Sequence, residues 1–361
     1  MNPVSKKNIG VFTNPSHELY VAECEPLVSA LECGDDEVVL HVRATGICAS
    51  DVHFWHEGRV GDTMVVRDEH ILGHESAGDV IKTGSKVSNV KVGDRVAIEP
   101  GLACMICDRC TNGYYNGCEK VQFKSTPPYP GQLRRYIVHP ARLVHPIGDL
   151  SYEQGALLEP ISVGIAGLQQ SGLQAGDPTL ICGAGPIGII CALLARAAGA
   201  APIIITDLNQ ARLDMVKKLI PTIHTLTIGR ADQSQQVAER IVKEIGIRPK
   251  IALECTGFES SINAALYALE FRGTCEIIGV GHDFITFPFI HAAVNEVTIR
   301  GLFRYANTWP RAIRMVQDKL FDALPLVTHR FKLEDAVNAF ETFTNVQSGA
   351  IKVMIVDNSD E

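Results

Sequence analysis

The stretch 183-GAGPIG-188 constrains the fold of this chain more than any other. It follows an apolar run, TLIC, and leads into PIGIICALLARAAGA, which reads as a helix. A bare G-x-G-x-x-G is weak evidence, but one set between a strand and a helix is a dinucleotide-binding fingerprint. Gly183 permits the tight turn, Gly185 lets a pyrophosphate approach the backbone, and Gly188 lets helix and strand pack closely. Pro186 and Ile187 complete the turn into the helix, whose free N–H groups and positive dipole end suit phosphate. Asp207 ends the next strand, after PIIIT. A carboxylate there can accept both ribose hydroxyls of NAD and repel the extra phosphate of NADP. Arg212 is near enough to lend partial tolerance of NADP, or is a solvated helix residue. The competing reading is a glycine turn beside an unrelated surface Asp.

The texture around the fingerprint supports the same expectation. Apolar strands alternate with amphipathic helices: TLICGAG, PIIITDL, QARLDMVKKL, KIALECTG, SSINAALYALEFRG and TCEIIGVG. That alternation predicts a parallel, doubly wound sheet. The first third differs. EVVLHVRATG, SAGDVIKTGS, VGDRVAIEP and RRYIVHP are short β-type runs broken by turn signals and read as an irregular β domain. A helical stretch with a possible kink at Pro160 joins the two. The expected boundaries are 1–157, 158–298 and 299–361, with the last segment, including the strand-like IKVMIV, returning to the first domain.

Four cysteines crowd the polar stretch 101-GLACMICDRCTNGYYNGCEK-120. Cys104, Cys107, Cys110 and Cys118 follow C-x2-C-x2-C-x7-C, a spacing that can wrap four thiolates around one tetrahedral zinc. Four filled positions leave none for water or substrate, so the site is structural. Spacing alone leaves an iron–sulfur site or a redox switch open. A second, mixed donor set lies in 45-TGICASDVHFW-55 and 71-ILGHESAGDV-80. Cys48, His74 and Glu75 offer a thiolate, an imidazole and a carboxylate, as in catalytic zinc sites that keep an open position. Glu159, in 156-ALLEPISVG-164, could reach that metal directly or through water. The linear spacing of this set is not itself a zinc motif.

Composition narrows the function classes. Of 361 residues, 46% are apolar and 20% charged, and the net charge is −8, which argues against nucleic-acid binding. No apolar run is long enough for a membrane span, and neither end carries a recognisable signal. The expected location is the cytoplasm, where eleven cysteines point to metal rather than disulfides.

TGICASDVHFW, LGHESAG, VGDRVAIEP, the four-cysteine lobe, GALLEP, GAGPIG and FRYANTWPRA occur in an order that resembles the zinc-dependent medium-chain dehydrogenases. More narrowly, they resemble the polyol branch: sorbitol, xylitol and L-arabinitol dehydrogenases. The resemblance runs over nearly the whole chain. It implies an α/β protein with a GroES-like β-rich catalytic domain, a Rossmann NAD-binding domain and an active site in the cleft between them. It also implies two Zn2+ per chain, NAD as cofactor and a homotetramer. Cys48, His74 and Glu75 match the catalytic zinc ligands, with Glu159 as fourth ligand or water-holding acid. Ser50 matches the hydroxyl that takes the substrate's proton, and His53 the relay that passes it on. Arg304 and Tyr305 match the polyol pocket, and Phe54 and Met64 belong to the same candidate substrate set. Val280, in TCEIIGVG, is counted with the cofactor-binding residues. The four cysteines match the structural zinc ligands. The implied reaction is oxidation of a secondary hydroxyl of a sugar alcohol to a ketose.

The departures bear on the substrate. Ala49 stands where the family often has Gly. Phe54 stands where many sorbitol dehydrogenases have Tyr, which removes a polar contact. The intact four-cysteine lobe and Met64 are of the arabinitol type, whereas Phe303 is more sorbitol-like. The balance favours L-arabinitol and leaves D-sorbitol and xylitol open. A non-catalytic dinucleotide-binding sensor is the reading from another class. It fits poorly with a complete ligand set and an intact Ser50–His53 pair.

Overall fold

The computed structural model describes residues 6–358. The five residues before and three after, parts of the ends read for signals, lie outside the described residues. The chain divides into two compact units. One comprises the chain up to Glu159, Trp309–Gln317 and the chain from Ala323 on; the other comprises Pro160–Thr308 and Asp318–Asp322.

The second unit is built on six parallel strands among the described residues. Their order is His224–Thr227, Ile203–Asp207, Thr179–Cys182, Ile251–Glu254, Thr274–Ile277, Thr298–Gly301. Numbered by sequence, that order is 3-2-1-4-5-6, the doubly wound arrangement expected from the strand–helix alternation. The inner strands are buried along their length because helices cover both faces, which is why they read as continuous apolar runs. Leu180, Ile204, Ala252 and Cys275 pack against Val237 and Ile241 of helix Ser234–Ile245 and Ile262 and Leu266 of helix Glu259–Ala268. The strand order reverses between Thr179–Cys182 and Ile251–Glu254. The crevice at the carboxyl ends of these two strands is where such sheets bind ligands.

One expected boundary moves. The returning segment is expected from residue 299, but that boundary falls inside Thr298–Gly301, the sixth parallel strand, with Thr298 opposite Thr274. The return begins at Trp309 instead. The reading at Pro160 also changes. The helical stretch breaks at Leu157, between Tyr152–Ala156 and Leu158–Ser171, and Pro160 lies in the first turn of the second helix. In a first turn the missing N–H has no helical partner to lose, so no kink is required.

The first unit carries a mainly antiparallel seven-stranded sheet among the described residues. Its centre is Glu37–Gly46, flanked by Glu75–Thr83, Tyr136–Pro140 and the C-terminal strand Lys352–Val356. Val38, Leu40, Val80, Val96, Ile98 and Ile137 form one apolar core. A second core gathers Val11, Ile47, Phe54, Leu72, Phe340 and Val353. The strand Lys352–Val356 joins the central one with Met354 opposite Gly46, which brings residues separated by some three hundred positions side by side.

Candidate functional site

Two groups of metal-ligating side chains occur among the described residues. In each, the donor atoms lie within 4.8 Å of one another. One is Cys104, Cys107, Cys110 and Cys118; the other is Cys48, His74 and Glu75.

The four-cysteine lobe has little secondary structure, with a short helix at Asp108–Thr111 and a single turn at Tyr115–Gly117. Its sulfurs are 3.5 Å apart for Cys107 and Cys110, and 3.9 Å apart for Cys104–Cys110 and Cys107–Cys118. A tetrahedron with zinc–sulfur arms of ~2.3 Å has edges of ~3.8 Å, so the lobe fits a zinc ion. The backbone N–H groups of Ile106 and Cys107 pull the Cys104 thiol down to about 6, whereas burial pushes Cys110 up to about 12. Glu99 ties the lobe to the body of its unit. It accepts the Tyr115 hydroxyl at 2.8 Å on one oxygen and pairs with His145 Nε2 at 2.8 Å on the other. His145 in turn stacks on Trp309 with ring centroids 5.2 Å apart.

The mixed cluster is assembled from three elements. Cys48 is the N-cap of helix Ala49–His56. Its backbone N–H donates to Asp51 Oδ2 (3.1 Å), closing a capping box. Asp51 is fully buried, and its other oxygen accepts Gly73 N–H (3.0 Å) and the Ser125 hydroxyl (2.8 Å). One carboxylate thereby fixes both the helix that starts at Cys48 and the residue that precedes His74. His74 Nδ1 faces the same carboxylate at 3.4 Å. Burial opposes ionisation of Asp51, but His74 and the N–H groups of Cys48 and Gly73 outweigh it and hold the carboxyl below its ordinary value.

Glu75 opens strand Glu75–Thr83 opposite Gly46. A side chain at position 46 would occupy the space of the Glu75 carboxylate, so glycine is required there. Both Glu75 oxygens accept Lys352 Nζ, at 2.9 and 2.7 Å, and the same ammonium donates to Ile47 O at 3.0 Å. Burial disfavours the Lys352 charge, but Glu75, Cys48 and Glu159 outweigh it and lift its pKa above the ordinary lysine value. A buried set of thiol, imidazole and carboxylate, with further groups fixing two of the three donors, suits a dication with an open position.

Glu159 is buried but lies outside the close-packed donor set. Ser50 is half-buried in the first turn of the helix, its hydroxyl 3.3 Å from Cys48 Sγ. His53 follows one turn later on the same face; it is 44% exposed and pairs through Nδ1 with Glu57 at 3.2 Å. Phe54, the next residue of the helix, does not face solvent. It is buried in the apolar core, edge-on to His70, and Met64 packs against the same core. His70 is buried, and burial holds it below the ordinary imidazole value. His145 is likewise structural, through Glu99.

In the second unit the fingerprint has the expected form. Gly183 has φ +91, and a side chain there would press within 2.6 Å of Thr256 Cγ2. At Gly188 a side chain would strike the Gly183 carbonyl. Gly185 precedes helix Pro186–Ala197, with Pro186 at its first position and Ile187 next. Asp207 accepts Ala184 N–H (2.6 Å) and Asn209 N–H (2.7 Å), which fixes the carboxylate against the fingerprint turn. Arg212 is half-buried in the first turn of helix Gln210–Leu219, and Val280 is 69% exposed. Tyr305 is buried, and the Arg304 guanidinium lies 4.7 Å over the Phe303 ring.

Sequence reasoning missed Asp51 and Lys352. Asp51 carries a detectable signal, an acid three residues after an N-cap position. Lys352 carries none, because its partner lies 277 residues away.

Comparison with known proteins points the same way. The alcohol dehydrogenase GroES-like domain matches residues 34–149, and the zinc-binding dehydrogenase domain matches residues 186–318. An L-arabinitol 4-dehydrogenase of Hypocrea jecorina is 54% identical over 357 residues, covering 97% of this chain and 94% of that protein. A sorbitol dehydrogenase of Mus musculus is 43% identical over 325 residues, covering 90% of each. The crystal structure of L-idonate 5-dehydrogenase from Escherichia coli matches with a TM-score of 0.86 at 25% identity, covering 98% of this chain and 99% of that one. With both domains matched and relatives of this identity spanning most of its length, the chain belongs to the zinc-dependent medium-chain dehydrogenases, in their polyol dehydrogenase branch.

Proposed function

We propose that this chain oxidises L-arabinitol to L-xylulose with NAD+ as acceptor. The observation that carries the reading is the convergence of Cys48, His74 and Glu75 into one buried donor set. The substrate is taken from relatives named L-arabinitol 4-dehydrogenase, at 54% and 50% identity over almost the full chain. D-sorbitol and xylitol are the alternatives, the former favoured by the sorbitol dehydrogenase relatives.

Cys48, His74 and Glu75 hold the catalytic zinc, and the four cysteines of the lobe hold the structural one. When bound, the catalytic ion supplies Lewis acidity that lowers the pKa of the reacting hydroxyl. NAD+ supplies the hydride acceptor. Ser50, beside Cys48, takes the hydroxyl proton, and His53, one turn further and partly exposed, passes it to solvent. Glu159, buried but outside the donor set, acts through water. Arg304 and Tyr305 hold neighbouring hydroxyls of the polyol. A site built on such hydrogen bonds rejects simple alcohols, because its polar groups would be left unpaired. The Asp207 carboxylate favours NAD+ by repelling a 2′-phosphate, and Gly183, Gly185, Gly188 and Val280 complete the cofactor-binding set.

The reading extends to a cytoplasmic homotetramer. Eleven unpaired cysteines suit a reducing compartment, and no helix among the described residues is long and apolar enough to cross a membrane. Exposed Phe284, Phe287, Phe289, Ile290 and Val294 offer apolar surface for subunit contact.

The test is a panel of L-arabinitol, xylitol, D-sorbitol, ribitol and galactitol, compared by kcat/KM with NAD+ and with NADP+. The highest value is expected for L-arabinitol with NAD+. Turnover that survives removal of all metal by chelation defeats the mechanism.

A further inference from the structure

Glu254 is fully buried at the carboxyl end of strand Ile251–Glu254, across the strand-order reversal from the fingerprint strand. A buried carboxylate is costly unless fully compensated, and the donors to this one are neutral. Oε1 accepts Thr256 N–H (3.0 Å), the Thr256 hydroxyl and the Ser261 hydroxyl (2.8 Å), while Oε2 accepts Gly257 N–H (2.8 Å). The same residue's backbone carbonyl accepts the N–H groups of Ile278 and Gly279, at 2.8 and 2.9 Å.

These bonds key three loops together. The Thr256 methyl abuts Gly183, the first glycine of the fingerprint. Gly257 lies against the backbone of Val280, so close that a side chain at 257 would come within 2.5 Å of the Val280 carbonyl carbon. Val280 is exposed beside it. All three loops leave the carboxyl ends of their strands, on the edge where a doubly wound sheet takes its ligand.

We propose that Glu254 is a positioning residue for the dinucleotide. Its carboxylate holds Thr256–Gly257 in the one arrangement that shapes both the fingerprint turn and the 279–281 loop around the cofactor. The inference rests on the dinucleotide-binding reading above. It adds a residue that touches no ligand and acts through the loop.

The experiment is NADH titration by fluorescence on the full-length, zinc-loaded enzyme, with thermal unfolding and zinc content measured alongside. In Glu254→Gln an amide N–H meets the N–H or O–H of a loop donor, leaving a buried donor unsatisfied. The NADH Kd is then expected to rise roughly tenfold or more. KM for NAD+ rises with it while kcat changes little, the pattern of lost uniform binding. Thr256→Val keeps the methyl against Gly183 and removes the hydroxyl, which donates to Glu254 and accepts Phe258 N–H (3.1 Å), while the N–H bonds to Glu254 stay, so it supplies a milder version should the first variant fold poorly. Its Kd is expected to rise by a few-fold with little change in Tm. Ser261→Ala removes a donor from helix Glu259–Ala268 but leaves the loop bonds, so it should lower Tm and leave Kd unchanged.

A folded Glu254→Gln or Thr256→Val enzyme with wild-type Kd overturns the proposal. So does a Kd that follows Tm alike in all three variants, since that marks a purely structural role. Failure of the wild-type enzyme to bind NADH instead sinks the dinucleotide reading itself, and this proposal with it.

Discussion

The two donor clusters of the first unit solve the same problem, gathering charged or ionisable ligands, in opposite ways. The four-cysteine lobe draws all its donors from residues 104–118 and has only a small apolar cluster of its own around Ala103. Its shape comes from the sulfurs and from ties to the surrounding unit such as Tyr115 to Glu99 and Arg142 to Ala103 O. The mixed cluster draws donors from two distant segments and depends on Asp51, Gly46 and Lys352 to hold them. A closed set of four thiolates needs little support because the metal itself is the core. A three-donor set with an open position must be held by the protein, since the vacancy removes one arm of the grip.

The sharpest test pairs one variant from each cluster. His74→Ala and Cys110→Ser should each lower zinc content from about two to about one per chain, as two separate ligand sets imply. His74→Ala should also cut kcat at least about a thousandfold, because Lewis-acid stabilisation worth several kcal/mol is lost. Cys110→Ser should lower Tm and solubility while the folded, catalytically metallated fraction turns over near the wild-type rate. Equal losses of kcat in both would erase the distinction between a reacting and a shaping metal.

Lys352→Ala is expected next in size. It leaves the Glu75 carboxylate buried without its cation, a change that costs about 3–5 kcal/mol. Chemical denaturation of the metal-free protein should show that loss, and added zinc should recover part of it by neutralising Glu75. A metal-free variant as stable as the wild type would show that the mixed cluster does not depend on its buried lysine.

Acid offers a third probe, because the strand that carries Lys352 is followed by Asp357. Burial raises the Asp357 pKa, but hydrogen bonds and charge from His41 and Arg135 outweigh it and hold the carboxyl at about 2 against an ordinary 3.8. A depressed pKa means stabilisation that is complete above the ordinary value and lost as pH falls through about 2. Asp357→Asn should flatten that acid limb of the urea-unfolding midpoint. An unchanged limb would show that the tail anchor contributes nothing to the acid response.

The smallest effect is expected at the lobe's tie. Tyr115→Phe removes one hydrogen bond to a carboxylate, worth about 1.5 kcal/mol. It should raise zinc release from the lobe without changing release from the mixed cluster, followed with a chromogenic chelator. Faster release from both would mean that the two clusters are coupled.

How much of this was legible before the fold was known depends on the range of each contact. The fingerprint and the four cysteines are local patterns, with every partner within a few residues, and both keep their expected form. Cys48, His74 and Glu75 were legible as a mixed donor set by residue type, and the resemblance strengthened a grouping that their linear spacing does not encode. The setting of Phe54 was not legible, because a residue on a helix beside a ligand can face either core or solvent. Here the core built by Phe340 and Leu72 claims it. The boundary expected at 299 falls inside a strand because an isolated strand does not declare which sheet it will join.

By itself, then, the sequence determined what is encoded in short-range spacing: a strand–turn–helix that suits a dinucleotide, a thiolate cage, and the alternation that makes a parallel sheet. Only the tertiary structure decided that Lys352 meets Glu75, that Asp51 ties two ligand segments together, and that Glu254 holds the Thr256–Gly257 turn at the strand-order reversal. Those contacts join groups separated by up to hundreds of residues or by a loop's exact path. Their partners are selected by sheet register and burial, where an unpaired charge is penalised, and not by any period along the chain.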